Sequence, residues 1–163
     1  MKRILITGGV GFIGSHTSIL LLQKGFDLIV VDSFINSSKN YINNIFTLIK
    51  KLDNNLLKKI KFFDCDIRDY EELNNIFLNS IQEGNPIDAV IHFAGLKAVE
   101  ESVKNPLMYW EINVAGSINL FKIMERYDCK TIVFSSSATI YGKKSESLLE
   151  EDSEINPSNP YGE

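Results

Sequence analysis

"ITGGVGFIGSH", residues Ile6 to His16, is the stretch on which the reading of the fold turns. It carries G-x-G-x-x-G through Gly9, Gly11 and Gly14, and T-G-x-x-G-x-x-G through Thr7, Gly8, Gly11 and Gly14. Glycine is needed where a chain turns sharply, where backbone approaches a ligand closely, and where a helix packs hard on its own strand. Such strings also arise by chance, so the flanks decide. The apolar run "RILIT" (Arg3 to Thr7) precedes this one, and a helical stretch from about Phe12 to Lys24 follows. Strand, glycine turn and helix is the context in which the first helical amides, here around Phe12 and Ile13, face phosphate groups.

Outward from that turn the same alternation continues. "DLIVVD" (Asp27 to Asp32), "IKFFDCD" (Ile60 to Asp66), "IDAVIHFA" (Ile87 to Ala94) and "TIVFSSS" (Thr131 to Ser137) read as further strands. They are nearly continuous apolar runs, as expected of parallel strands covered on both faces. Helices are expected between them, over Tyr41 to Leu52, Asp69 to Gln82 and Pro106 to Arg126. In the last, Asn105 suits a cap and Pro106 the first helical position. Leu107, Trp110, Val114, Ile118 and Phe121 form one apolar stripe, with Met108, Ile112 and Ala115 beside it, a face wide enough for two partners. The alternation predicts one α/β domain over residues 1–163, a Rossmann-type doubly wound parallel sheet of strand order 3-2-1-4-5, with its ligand crevice at the carboxyl ends of strands 1 and 4.

The ends of the strands carry the candidate ligand groups. Asp32 ends strand 2, where a carboxylate accepts hydrogen bonds from adenosine ribose hydroxyls and repels a 2′-phosphate, which favours NAD over NADP. Asp66 and Ile67 follow strand 3, where an adenine ring would be held. Ala94 and Gly95 permit close approach to a cofactor, and Lys97 places a cation near its oxygens. "SSSATIYG" (Ser135 to Gly142) puts three serines at the end of a strand read as buried, which is costly unless they hydrogen-bond. Serine with tyrosine in one crevice points to proton transfer at a hydroxyl or carbonyl.

Composition narrows the classes. Hydrophobic residues make up 44% and charged residues 23%, ordinary for a globular protein with a core. The net charge of -4 argues against nucleic acid as the partner. The lysines of residues 50–61 read as a solvated helix end, and the acidic run Glu146 to Glu154 as a solvated loop. No apolar run is long enough to cross a membrane, and "MKRILIT" is too short for a signal peptide. Cys65 and Cys129 lie in no metal-ligand spacing and read as reduced packing residues of a cytoplasmic protein, with no metal site expected. His92 reads as a hydrogen-bonded core histidine. His16, Tyr109, Trp110 and Tyr141 read as structural, and Ser136 as a core-facing residue.

"TGGVGFIGSHT", "HFAGLKAVEESVKNP", "INVAGS", "FSSSATIYG" and "NPYG" together resemble the extended short-chain dehydrogenase/reductase family, and within it the UDP-glucose 4-epimerases. The resemblance runs from Met1 to Gly162. The first and last motifs mark the broad family; "HFAGLKAV" and "SSSATIYG" are more specific to the 4-epimerases than to related dehydratases or decarboxylases. Phe12 stands where tyrosine is common and Glu100 where glycine is usual.

The resemblance implies that NAD is contacted by Gly8, Gly11, Phe12, Ile13, Gly14, Asp32, Ser33, Asn36, Ser37, Asp66, Ile67, Phe93, Ala94, Lys97, Asn113 and Ser135. It implies that Ser137 and Lys97 meet the substrate, UDP-glucose or UDP-galactose, with Ser137 on the sugar's 4-hydroxyl and Tyr161 as catalytic base. The family's Tyr-x-x-x-Lys lysine, whose charge favours the ionised tyrosine, would fall two residues beyond Glu163. The expectation is therefore a chain truncated after strand 5, without the sugar-nucleotide domain and inactive by itself, from an enzyme that is a homodimer when full length. The alternatives are an NAD-binding module without activity and another sugar-nucleotide enzyme of the same family.

Overall fold

The computed structural model describes residues 2–142 and 148–163. Five parallel strands form one sheet in the order β3-β2-β1-β4-β5, as the alternation predicts. They are β1 (Arg3–Thr7), β2 (Asp27–Asp32), β3 (Ile60–Asp64), β4 (Ile87–His92) and β5 (Thr131–Phe134). The helices between them are α1 (Phe12–Gln23), α2 (Asn40–Leu52) and α3 (Tyr70–Gln82), then α4 (Val99–Lys104), α5 (Pro106–Tyr109) and α6 (Gly116–Arg126). The register sets Thr7 beside both Val31 and His92, and His92 beside Phe134, so the chain leaves β1, β4 and β5 at one level.

Side chains alternate across the central strands, and each face has its own core. Leu5, Ile29, Val31 and Val90 pack with Leu73, Ile76 and Phe77 of α3 and Leu120, Ile123 and Met124 of α6. Ile4, Ile6, Leu28 and Val30 pack with Leu22 of α1 and Ile45 and Ile49 of α2 on the other face. Each such side chain contributes about 1.5–3 kcal/mol by leaving water. Asp69 starts α3 by accepting the Glu72 amide at 3.0 Å, a capping bond that satisfies one of the free amides of the first turn.

Three local expectations need correction. Asn105 makes no capping bond, although Pro106 does open α5; its φ of -132° and ψ of 59° turn the chain out of α4 instead. The stretch Pro106 to Arg126 is helical throughout, but Trp110–Ala115 between α5 and α6 is π-helical. The exposed apolar face expected of a sheet whose last strand is β5 is found: all four of its residues are exposed, Val133 at 58% and Phe134 at 57%. Ser135 and Ser136 are accordingly exposed rather than buried, because they follow the sheet's edge strand. Glu146 and Ser147 of the acidic run lie outside the described residues; Leu148 to Glu154 is a mostly exposed loop.

The stretch "NPYGE" has the hydrogen bonds of a first helical turn. Asn159 accepts the Gly162 amide on its side chain at 3.0 Å, and its carbonyl accepts the Gly162 and Glu163 amides at 2.9 and 3.2 Å. This turn sits against the short 3₁₀ turn Ala138–Tyr141, where the Asn156 amide donates to the Ile140 carbonyl at 2.9 Å.

Candidate functional site

The crevice opens where the sequence places it, above the carboxyl ends of β1 and β4. Gly8 makes the turn at a φ of +64°, and a Cβ there would lie 2.7 Å from the Ala94 nitrogen. Only glycine lets the loop press this closely on the end of β4. Gly14 does the equivalent for α1, since a Cβ would meet the Gly8 carbonyl oxygen at 2.5 Å. Gly11 precedes α1 and no side chain caps the helix, so its positive end is left to whatever enters the crevice.

Two adjoining lobes share the floor Gly8, Gly11 and Phe93 to Lys97. The first adds Asp32, Ser33, Ile35, Asn36, Cys65, Asp66, Ile67 and Ile112. The second adds Phe12, Ile13, Gly14, Asn113, Phe134, Ser135, Ser136 and Tyr161. Fifteen of the sixteen expected cofactor-contacting residues thus line one crevice, together with Tyr161.

Asp32 is 8% exposed and anchors the first lobe. Its Oδ2 accepts the Val10 amide at 2.9 Å, and its Oδ1 accepts the Phe34 amide at 3.0 Å and the Ser37 hydroxyl at 2.9 Å. Three of about four lone-pair positions are filled, which leaves capacity for a ligand hydroxyl. Asp66 accepts the Arg68 amide, Nε and Nη2 at 2.7 to 3.0 Å, and the guanidinium holds its carboxyl below the usual range. Burial, reinforced by nearby carboxylates, pushes the Cys65 thiol up to about 12, so it is an inert wall. Lys97 is exposed on the shared floor and makes no ion pair among the described residues.

The π-helical segment shapes the second lobe. Asn113 accepts the Leu96 amide at 2.8 Å and donates to the Leu96 carbonyl at 2.9 Å, which fixes the loop after β4. Tyr109 backs this loop, bonding Ala98 and Glu101, and burial and Glu101 push its hydroxyl up to about 12. Tyr161 packs on Tyr109 with ring centroids 6.3 Å apart at 69°, beside Leu96 and Ile112.

Two expected residues stand elsewhere. Ser37 spends its hydroxyl on Asp32 and lines an outer groove between α1 and α2. Ser137 lines neither lobe; its hydroxyl accepts the Thr139 amide at 3.3 Å and hydroxyl at 2.9 Å, capping the 3₁₀ turn. Sequence reasoning missed Leu96, Ile35 and Ile112 as wall residues, since an aliphatic side chain carries no local signal that it faces a crevice. It placed His92 correctly: the ring is 1% exposed, bonded at both nitrogens, and lowered by burial to about 4.

The family model described as GDP-mannose 4,6 dehydratase matches residues 5–163. Over 161 residues the chain is 45% identical to UDP-glucose 4-epimerase 2 of Arabidopsis thaliana, covering 99% of this chain and 43% of that protein. It is 44% identical over 160 residues to UDP-glucose 4-epimerase of Bacillus subtilis, covering 98% of this chain and 44% of that protein. A UDP-glucose 4-epimerase of Bifidobacterium longum in complex with NAD+ and UDP has a similar structure, with a TM-score of 0.84 at 40% identity, over 99% of this chain and 45% of that one. The enzyme of Stenotrophomonas maltophila with bound NAD and formylated UDP-arabinopyranose aligns with a TM-score of 0.86 at 36% identity, over 99% and 45%. The chain thus spans less than half the length of these relatives.

Proposed function

This chain belongs to the family described as GDP-mannose 4,6 dehydratase, and from that premise we propose that it is the nucleotide-holding part of a UDP-glucose 4-epimerase, which interconverts UDP-glucose and UDP-galactose with bound NAD. The observation that carries the reading is the composition of the second lobe. Tyr161 and the serine end of β5 share a wall with the start of α1, and no carboxylate lines that lobe among the described residues. A dehydratase must also remove a C5 proton and expel the 6-hydroxyl, which calls for a further acid–base pair. The lobe offers a tyrosine and serine hydroxyls, the groups that reversible oxidation at a sugar hydroxyl needs, which supports epimerisation. The relatives' names agree.

The residues fit NAD. Gly11 lines both lobes, where a Cβ would lie 3.2 Å from the Gly8 carbonyl oxygen, and Asp32 keeps capacity for a ribose hydroxyl. Phe12 and Ile13 would offer their amides to the pyrophosphate and Asp66 and Ile67 would flank the adenine, with Ser33, Asn36, Phe93, Ala94, Lys97 and Ser135 completing the contacts. Asn113 acts through Leu96, holding the loop that divides the lobes. When bound, NAD would supply the hydride acceptor and donor for reversible oxidation at C4 of the sugar. Tyr161 would take the 4-hydroxyl proton and give it back, and Ser137, whose oxygen accepts from Thr139, keeps its own proton to donate to the 4-oxygen. The protein's share is position and proton traffic.

The further readings are of the same standing. The work is in galactose metabolism. Two free buried cysteines support a cytoplasmic setting. The exposed stripe Leu107, Trp110, Val114, Ile118 and Phe121 supports a homodimer in the longer enzyme. No helix among the described residues is long and apolar enough to cross a membrane.

The test joins residues 1–163 to the remaining length of the Bacillus subtilis relative and supplies UDP-galactose. UDP-glucose without net NADH is expected. A 4-keto-6-deoxy product would favour the dehydratase, and neither product from a folded, NAD-loaded fusion would leave a binding module.

A further inference from the structure

A buried line of hydrogen bonds runs beneath the crevice. The Ala94 amide donates to Thr7 Oγ1 at 3.3 Å, and Thr7 Oγ1 meets His92 Nδ1 at 2.5 Å. His92 Nε2 meets Ser117 Oγ at 2.8 Å, and Ser117 Oγ lies 2.5 Å from the Asn113 carbonyl oxygen. Thr7 ends β1, His92 ends β4, and Ser117 lies in the first turn of α6. Phe121 and Phe134 flank the imidazole, with centroids 6.4 and 5.5 Å away.

The proton positions follow from donor and acceptor chemistry. A carbonyl oxygen only accepts, so the single Ser117 hydroxyl proton goes to Asn113. Toward His92 that hydroxyl is then an acceptor, and Nε2 must carry the ring proton. In the neutral ring Nδ1 is therefore the acceptor, and the Thr7 hydroxyl donates to it. Every bond points the same way, from the Ala94 amide to the Asn113 carbonyl. Asn113 in turn clamps Leu96 through its side-chain amide.

We propose that His92, as its Nε2–H tautomer, is a positioning residue that ties the glycine loop to the π-helical segment and so sets the loop Ala94 to Lys97 that divides the two lobes. The glycine loop and Asn113 do not bond each other; the imidazole is the one rigid piece between their two hydroxyl partners. A histidine that merely fills the core would leave those two ends independent. The consequence for the cofactor rests on the reading of the crevice as an NAD site, while the coupling itself does not.

The experiment uses the 163-residue chain. Nitrogen-15 spectra should show His92 with a protonated Nε2 and a bare Nδ1. Amide exchange at Leu96 should speed up about tenfold in Thr7→Val and in Ser117→Ala, the loss expected of one buried hydrogen bond. The double variant should exchange no faster than the faster single one, because either change breaks the same line. Thr7→Ser should restore slow exchange, and NAD affinity should follow the same order. A protonated Nδ1, or effects at Leu96 that are absent or simply additive, would overturn the proposal. If the unaltered chain fails to bind NAD, the function proposed above falls, and the spectra and exchange still decide the coupling.

Discussion

The Asp32 carboxylate accepts the Val10 amide at 2.9 Å, which joins the end of β2 to the glycine loop across the floor of the crevice. The residue read from the sequence as a ribose ligand is thus also a structural anchor, with Phe34 and Ser37 on its other oxygen. Replacing it should therefore cost stability before any ligand is added. Asp32→Ala leaves two amides and a hydroxyl without their charged acceptor, and a loss of about 2–4 kcal/mol in urea unfolding is expected. An unchanged midpoint would show that the loop stands without it.

Gly8 and Gly25 separate crowding from backbone strain. Both have positive φ, +64° and +91°, but only Gly8 has backbone within 3 Å of a built Cβ. Gly8→Ala should lose about 3 kcal/mol or more through strain and overpacking together. Gly25→Ala, with open space around it, should lose about 1–2 kcal/mol through strain alone. Equal losses in thermal unfolding would mean that the approach of Gly8 to Ala94 relaxes freely.

Much of this was legible in the sequence for a simple reason. Continuous apolar runs such as "DLIVVD" have few structural outcomes, and the glycine turn fixes which strand is central. What was not legible depends on neighbours. The π-helical turn around Asn113 has the same apolar periodicity as an α-helix. Asn113 within it pairs with Leu96, seventeen residues earlier, and no local pattern contains that contact. The exposure of Ser135 and Ser136 follows from β5 lying at the sheet edge, and a short strand reads alike at an edge and at the centre. Ser37 and Ser137 line neither lobe, because their hydroxyls bond Asp32 and Thr139, partners that no motif displays.

The buried His92 makes stability depend on pH. Its folded value is lowered by burial to about 4 from an ordinary 6.5, so the unfolded chain binds the proton first. The contribution is fully present above about pH 6.5 and is lost as pH falls toward 4, on the order of 3 kcal/mol in total. Urea midpoints should fall between pH 7 and pH 5, before carboxylates titrate, and much less so in His92→Phe. A flat profile across that window would contradict neutral burial.

Tyr161 offers a separation of packing from chemistry. Its ring rests on Tyr109, so Tyr161→Phe keeps the contact and should change stability by less than about 0.5 kcal/mol. In the fusion with the Bacillus subtilis relative, the same substitution should lower turnover of UDP-galactose at least about a hundredfold while NAD stays bound, as expected for loss of a general base. Ser137→Ala should also lower turnover with NAD retained. Normal rates in both variants would remove them from the proposed mechanism.

The central claim is that the glycine loop, Asp32 and the Phe93 to Lys97 loop together form an NAD site. Fluorescence titration of the 163-residue chain with NADH and NADPH tests it most directly. The account predicts weak, saturable NADH binding, with NADPH at least about tenfold weaker because Asp32 repels a 2′-phosphate, and loss of binding in Gly11→Val. No saturation with NADH, or equal affinity for the two nucleotides, would contradict it.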